Sequence, residues 1–287
     1  MSVEISVIIL TYNDEDNIGA CLESFKDWVD DIVIVDSFST DKTLQICEAQ
    51  GCRIHQHEFI DQAHQFNWAL DTIPLKHQWV LRLDSDEILP ERLKREMERR
   101  VGKEVGIAGY YINRRMYWMN RWLRHGRMYP HYILRLFRFG AGRYEMRTEE
   151  HLLLDGKAAY FEHDFLEDNR KNGLEYLTFK HLKTAEGEVS EILHPSCDDR
   201  AVEPSLFGTK TQRTRWLKEK VYARTPFFSR SLLYFLYRYF VCLGFLDGKE
   251  GLTFHFLQAF WYRFYIDARL YEERCAWRKS RIDHTNI

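Results

Sequence analysis

The sequence predicts an α/β protein with a doubly wound, mixed central sheet, followed by a helical, aromatic-rich C-terminal region. Three observations predict it. Short apolar, β-branched runs alternate four times with helical segments over the first 100 residues, the pattern of strands joined by crossover helices. Several of those runs stop abruptly on polar residues, as strands do where they emerge at a sheet edge. The last 87 residues are dense in aromatic and basic side chains, which suits neither the sheet nor a flexible tail.

The elements follow in order. Ser6-Val7-Ile8-Ile9-Leu10 is a buried strand ending in the polar cluster Thr11 to Asp16, which can cap a helix from Asn17 to Trp28. Asp31 to Asp36 is the second strand, and Ser37 to Asp41 leads into a helix that stops at Gly51. Cys52–Gln56 is read as a strand, Gln62–Leu70 as a helix and Trp79–Leu83 as the fourth strand. Pro90 opens a charged helix reaching Arg100. Farther on, Tyr110–Ile112, His131–Phe137 and Leu152–Leu154 read as strands of the mixed part. Helical segments are expected over Arg213–Val221, Ser231–Leu246 and Gly251–Tyr271. The turn-rich stretch Pro195–Pro204 suggests a boundary, giving an α/β domain over 1–195 and a helical region over 196–287.

Composition narrows the class. At 45% hydrophobic and 29% charged residues the chain is globular. The last 87 residues hold 15 basic and 8 acidic side chains, so the overall charge of −2 conceals an acidic body and a basic end. Six cysteines without a CxxC pair read as reduced thiols. Met1-Ser2-Val3-Glu4 lacks the basic region and long apolar run of a signal peptide, so a cytoplasmic placement is expected. No GxGxxG, P-loop, HExxH or zinc-finger spacing occurs, and no nucleic-acid motif accompanies the basic residues.

The run Trp79 to Glu87 carries the chemistry. A β-prone segment ends on Asp84-Ser85-Asp86-Glu87. In an extended chain Asp84 and Asp86 point to one side. Two adjacent carboxylates repel unless a cation lies between them, and a hard ion such as Mg²⁺ or Mn²⁺ bound to phosphate oxygens fits. Right-handed crossovers place Thr11, Asp36 and Asp84 along one crevice. Asp86 and Glu87 have an alternative reading as helix N-terminal acids ahead of Pro90.

Val7 to Glu15, Ile32 to Asp41 and Leu83 to Glu87 resemble, in order, three motifs of inverting GT-A glycosyltransferases of family 2. More distantly, Phe245 to Gly251 and Phe260-Trp261-Tyr262 resemble the C-terminal part of members that build lipopolysaccharide core, O-antigen or capsule. The resemblance implies a GT-A fold and a nucleotide-sugar donor, with a UDP-hexose first. Thr11, Tyr12 and Asn13 would hold the nucleoside, Glu15 the ribose or base edge, and Asp36 the base N–H. Asp84-Ser85-Asp86 would be the DXD motif, with Asp84 and Asp86 on Mg²⁺ or Mn²⁺. Asn67 resembles the donor-side Asn, and helix packing accounts for it equally well. Glu149 or Glu150, in Glu149-Glu150-His151-Leu152, would be the catalytic base, with Glu150 preferred. The family usually has His where this chain has Glu149.

The run Leu232–Leu246 is apolar and aromatic over 15 residues. As a helix it would span about 22 Å, short of a bilayer core of roughly 30 Å. Together with Leu252–Leu270 it suits a membrane interface, or packing inside the protein or against a second copy as a homodimer. The expected partners are the nucleotide-sugar, a lipid-linked saccharide acceptor and the inner face of a bacterial cytoplasmic membrane. The rivals are a polyprenyl-phosphate glycosyltransferase of the same fold and a non-catalytic nucleotide-sugar-binding protein.

Overall fold

The computed structural model describes residues 3–145, 152–169, 173–194 and 225–285, with isolated positions between 205 and 220, and side chains as far as residue 275. The chain divides into two compact units, residues 1–124 with 128–172, and 125–127 with 173–287. The expected boundary at 195/196 falls outside the described residues.

The first unit is built on a nine-stranded mixed sheet. Its parallel half comprises β1 (Ile5–Thr11), β2 (Asp31–Asp36), β3 (Arg53–Gln56) and β4 (Trp79–Asp84), in the spatial order β3-β2-β1-β4. The connecting helices are α1 (Ile18–Glu23), α2 (Thr43–Ala49) and α3 (Gln62–Thr72). Strand alternation distributes the apolar residues over two faces. Val7, Ile9, Ile34 and Leu81 pack on one side with Cys21 and Leu22 of α1 and with Leu93 and Met97 of α4 (Glu91–Arg100). Ile8, Val33, Val35 and Val80 face the other side, against Ala63, Phe66 and Ala69 of α3. Burial on both faces explains why these strands read as continuous apolar runs.

The other half holds β5 (Glu87–Ile88), β6 (Ile107–Trp118), β8 (Tyr132–Arg138) and β11 (Lys157–Glu167), with β7 (Arg121–Trp122) on β6. Here β8 runs antiparallel to both β4 and β6, whereas β11 runs parallel to β6. β9 (Gly142–Tyr144) and β10 (Leu152–Leu154) form a separate antiparallel pair.

Several expectations are revised. The helix expected over Asn17–Trp28 ends at Glu23 and continues as turns. β11 escapes sequence reading because acids interrupt it. Asp164 is nevertheless buried there, accepting from Asn113 Nδ2 (2.9 Å) and Arg115 Nε (2.5 Å). β5 and α5 (Leu174–Leu193) are likewise additions to the expected elements.

In the second unit, Ala185 and Val189 of α5 pack on Tyr262, Ile266 and Leu270 of α8 (Tyr262–Thr285). Glu188 accepts from Tyr262 Oη (2.7 Å) and Arg263 (2.9 Å), while buried Asp267 accepts from Arg230 Nε (2.7 Å). The helix expected over Ser231–Leu246 is segmented. α6 (Ser229–Leu236) runs into a π-helical turn, Tyr237–Val241, and Leu243 at φ +61° breaks the chain before a 3₁₀ turn, Gly244–Asp247. α7 (Gly248–His255) and a second π-helical stretch, Phe256–Trp261, follow. Gly244 is needed because a Cβ there would lie 2.7 Å from the His255 ring. The expected helix over Arg213–Val221 lies largely outside the described residues. Among the described residues no helix is long and apolar enough to cross a membrane.

Candidate active site

The C-terminal ends of β2, β1 and β4 lie side by side. Thr11 is in register with Asp36, and Leu10 with Asp84. Sequence reasoning placed these three ends in one crevice, and the strand pairing brings them together.

The loops after β1 and β2 are laced by hydrogen bonds. Asn13, at φ 52°, donates its backbone N–H to Ser39 Oγ (2.8 Å) and accepts from Thr40 N at Oδ1 (2.8 Å). Glu15 accepts from Lys42 N (3.0 Å) and its own N–H donates to Asp41 (3.1 Å). Glu15 therefore braces the second loop. Tyr12 stays 59% exposed at this rim, as does Phe38, a bulky residue held at φ 60°. A left-handed Phe is strained by roughly 1–2 kcal/mol, and the surrounding bonds hold it there.

Asp36 is fully buried. It accepts from Thr11 Oγ1 (3.0 Å), Ser39 N (2.8 Å), Ser39 Oγ and Gln56 Nε2 (3.3 Å). Its carboxylate shapes the Ser37–Thr40 loop from within. Asn67 is buried in α3 and pairs with the Tyr144 backbone through both ends of its amide, at 2.9 and 3.0 Å. Of the two readings open in the sequence, these contacts match the packing one.

The acidic turn is the most elaborately supported feature. Asp84 ends β4 with its side chain 38% exposed, Ser85 is buried in the turn, and Asp86 is half-buried. Glu87 is neither in the first turn of a helix nor in solvent. It is a strand residue, 1% exposed, that accepts from Asp84 N (3.0 Å) and from Arg135. Helix α4 starts only at Glu91, with Pro90 as its cap, so the reading of Asp86 and Glu87 as helix-terminal acids is set aside. Arg135 Nη2 also donates to Asp84 Oδ2 (2.6 Å), while Arg82 lies 3.5 Å from Oδ1. Arg82 itself is fixed by Gln62 (2.8 Å) and by the Tyr144 ring.

Electrostatics follow from the burial. Removal from water pushes the Glu87 carboxyl up to about 8, against the pull of Arg135 and with help from Asp84 and Asp86. Burial disfavours the Arg135 charge, but Asp84 and Glu87 outweigh it and hold the guanidinium firmly protonated. Cys21, beneath the turn, has its thiol pushed well up by burial and then by the three acids, which disfavours the reactive thiolate.

The donor chemistry fits a hard divalent ion. Asp84 and Asp86 offer carboxylate oxygens, the donors such an ion takes, and Asp84 shares its carboxylate with Arg135. Among the described residues no group of three or more His, Cys, Asp or Glu could hold a metal. An ion at Asp84 and Asp86 would thus draw its remaining ligands from phosphate oxygens and water. Glu149 and Glu150 lie outside the described residues; the last described position before them is Glu145 and the first after them is Leu152.

Sequence reasoning missed Arg82, Arg135 and Ser39. A signal existed for the arginines: each is a charge inside an apolar strand, in Val80-Leu81-Arg82-Leu83 and Ile133-Leu134-Arg135-Leu136. A buried strand charge demands a partner.

The family model described as Glycosyl transferase family 2 matches residues 6–168, more than half of the chain. The chain is 25% identical over 289 residues to the lipopolysaccharide core biosynthesis glycosyltransferase LpsC of Rhizobium meliloti (strain 1021), covering 97% of this chain and 96% of that protein. It is 35% identical over 98 residues to an uncharacterized glycosyltransferase of Rickettsia bellii (strain RML369-C), covering 34% of this chain and about a third (33%) of that relative's length. Among solved structures, glucosyl-3-phosphoglycerate synthase from Mycobacterium tuberculosis, in complex with Mn²⁺, UDP and glucosyl-3-phosphoglycerate, aligns at a TM-score of 0.34 and 23% identity, over 39% of this chain and 44% of that one.

Proposed function

The chain belongs to glycosyl transferase family 2, and from that premise we propose that it is an inverting, metal-dependent hexosyltransferase. It moves a sugar from a UDP-hexose to a lipid-linked saccharide in bacterial surface polysaccharide synthesis, at the inner face of the cytoplasmic membrane. The observation that carries this reading is the alignment of Thr11, Asp36 and Asp84 on adjacent strand ends, with the Asp84-Ser85-Asp86 turn beside them. Near full-length similarity to LpsC supports the lipopolysaccharide assignment.

Each residue has a task in this reading. Tyr12 offers an exposed ring at the crevice rim on which a uracil can stack. Asn13, Glu15 and Asp36 keep the two loops in place around the nucleoside. Asp84 and Asp86 would hold Mg²⁺ or Mn²⁺, and the bound ion would supply positive charge against that growing on the departing diphosphate. Glu150, with Glu149 as the alternative, takes the proton of the acceptor hydroxyl as its oxygen bonds to the anomeric carbon and the bond to UDP breaks. A single displacement inverts that carbon. The lipid-linked acceptor accords with the exposed apolar surface of the second unit, where Leu233, Phe240, Val241, Leu243 and Leu246 face solvent.

UDP release in the presence of membrane lipid extract and Mn²⁺ tests the reading. Wild type should turn over and EDTA should abolish the release. Asp86→Ala should retain less than about one hundredth of the rate, the usual scale for losing charge stabilisation of a leaving group. Full EDTA-resistant activity in Asp86→Ala would refute the metal assignment. Binding of UDP without any turnover would favour the non-catalytic rival.

A further inference from the structure

The acidic turn has a foundation beneath it. Arg135 sits on β8 and Glu87 on β5, two strands that are not neighbours in the sheet, yet both meet Asp84. One nitrogen of Arg135 bridges Asp84 Oδ2 and Glu87 Oε1, while the other oxygen of Glu87 accepts the backbone N–H of Asp84. Asp84 is therefore held at both its side chain and its main chain by the same buried pair. The pair is shut away from solvent, with Arg135 and Glu87 side chains 7% and 1% exposed, whereas Asp84 is open at 38%. A ligand reaching the turn from solvent meets Asp84 and not the pair below it. Phe165, 5.7 Å beneath the guanidinium, supports it from the β11 side.

We infer that Arg135, seated on Glu87, is a positioning residue that fixes the Asp84 carboxylate in the orientation that receives the divalent ion. This rests on the metal-dependent reading above. Arg135 touches neither ion nor donor; it acts through Asp84. The precedent in physical terms is general: carboxylates that ligate metals are themselves hydrogen-bonded from behind, and losing that partner costs about 10–100-fold in metal affinity. Replacing both by neutral isosteres removes the bonds, and loss of the guanidinium charge would by itself favour a cation, so weaker Mn²⁺ binding reports lost positioning and not a changed field.

The experiment is Mn²⁺ binding followed by electron paramagnetic resonance, with UDP present, on wild type, Arg135→Lys and the double variant Arg135→Met/Glu87→Gln. UDP-dependent Mn²⁺ binding by wild type is the control for the underlying reading; its absence would remove the metal site itself, whatever Arg135 does. With the control in place, the double variant should bind Mn²⁺ about tenfold or more weakly. Arg135→Lys, which keeps the charge but not the planar bridge, should fall between the two. Thermal melting identifies which variants fold, and Arg135→Lys carries the test if the double variant does not. A folded variant with unchanged or tighter Mn²⁺ binding would overturn the inference, because a merely structural pair would lower the melting temperature and leave the metal affinity alone.

Discussion

Asn67 and Tyr144 hold each other through two buried hydrogen bonds. The Asn67 amide donates to the Tyr144 carbonyl at 2.9 Å, and the Tyr144 N–H donates back to Oδ1 at 3.0 Å. The side chain mimics a strand neighbour, fastening α3 to β9. Asn67→Ala leaves a backbone donor and acceptor unsatisfied, a loss of about 2–4 kcal/mol. A lowered melting temperature with UDP affinity retained, by calorimetry, is the expected outcome. Lost UDP affinity at an unchanged melting temperature would instead return Asn67 to the donor site.

The second unit should be acid-sensitive through His255. The residue is fully buried, with Gly126 against its ring: a Cβ at Gly126 would lie 2.1 Å away. Among the described residues neither ring nitrogen has a hydrogen-bond partner. Burial lowers its pKa to about 4, Arg238 adding to the effect and Asp247 opposing it. The folded value lies below the unfolded one of about 6.5, so the unfolded chain takes the proton first. Stability from this group is complete above pH 6.5 and is lost as pH falls towards 4, by about 3 kcal/mol. Melting curves between pH 7 and 4 should show this slope in wild type and less of it in His255→Gln. Equal slopes would refute the assignment.

The two candidate bases are separable by kinetics. Removing the group that takes the acceptor proton costs about 10²–10⁴-fold in turnover. Glu150→Gln should fall in that range with donor KM little changed, whereas Glu149→Gln should remain close to wild type. The reverse order would assign the base to Glu149, and small effects in both would remove the pair from the reaction.

How much of this was legible beforehand depends on where the information resides. The parallel strands were readable because Val7 to Ile9, Ile32 to Val35, and Val80, Leu81 and Leu83 are buried on both faces and carry their own apolar signature. The crevice followed from chain order alone. β11 was not readable, because Asp164 is buried through partners on distant residues, Asn113 and Arg115. Glu87 was undecidable for the same reason: its role depends on Arg135, 48 positions later. Asp36 and Asn67 were recognisable as important polar positions, but their partners, Ser39 and the Tyr144 backbone, come only from the fold.

The exposed surface of α6 and the turns after it should seek lipid. From Leu232 to Leu246 the one charged residue is Arg238, and it is buried, donating to the Gly126 carbonyl at 2.8 Å. What faces outward is therefore uncharged, including Leu233, Phe240 and Val241. Patches of this kind mark a partner surface, and segments too short to span a bilayer can lie in its interface. Arg230, Arg263 and Arg269 are committed to Asp267, Glu188 and Glu186, so they contribute less to attraction than the charge count implies. Insertion of the apolar face should then dominate, with salt a secondary influence. Wild type should float with vesicles containing phosphatidylglycerol. Leu233→Asp/Val241→Asp should lose about 2–3 kcal/mol of apolar transfer, a factor of roughly 30–150, without a change in melting temperature. If wild type ignores vesicles but sediments as a dimer that the double variant disrupts, the face belongs to a second copy of the chain.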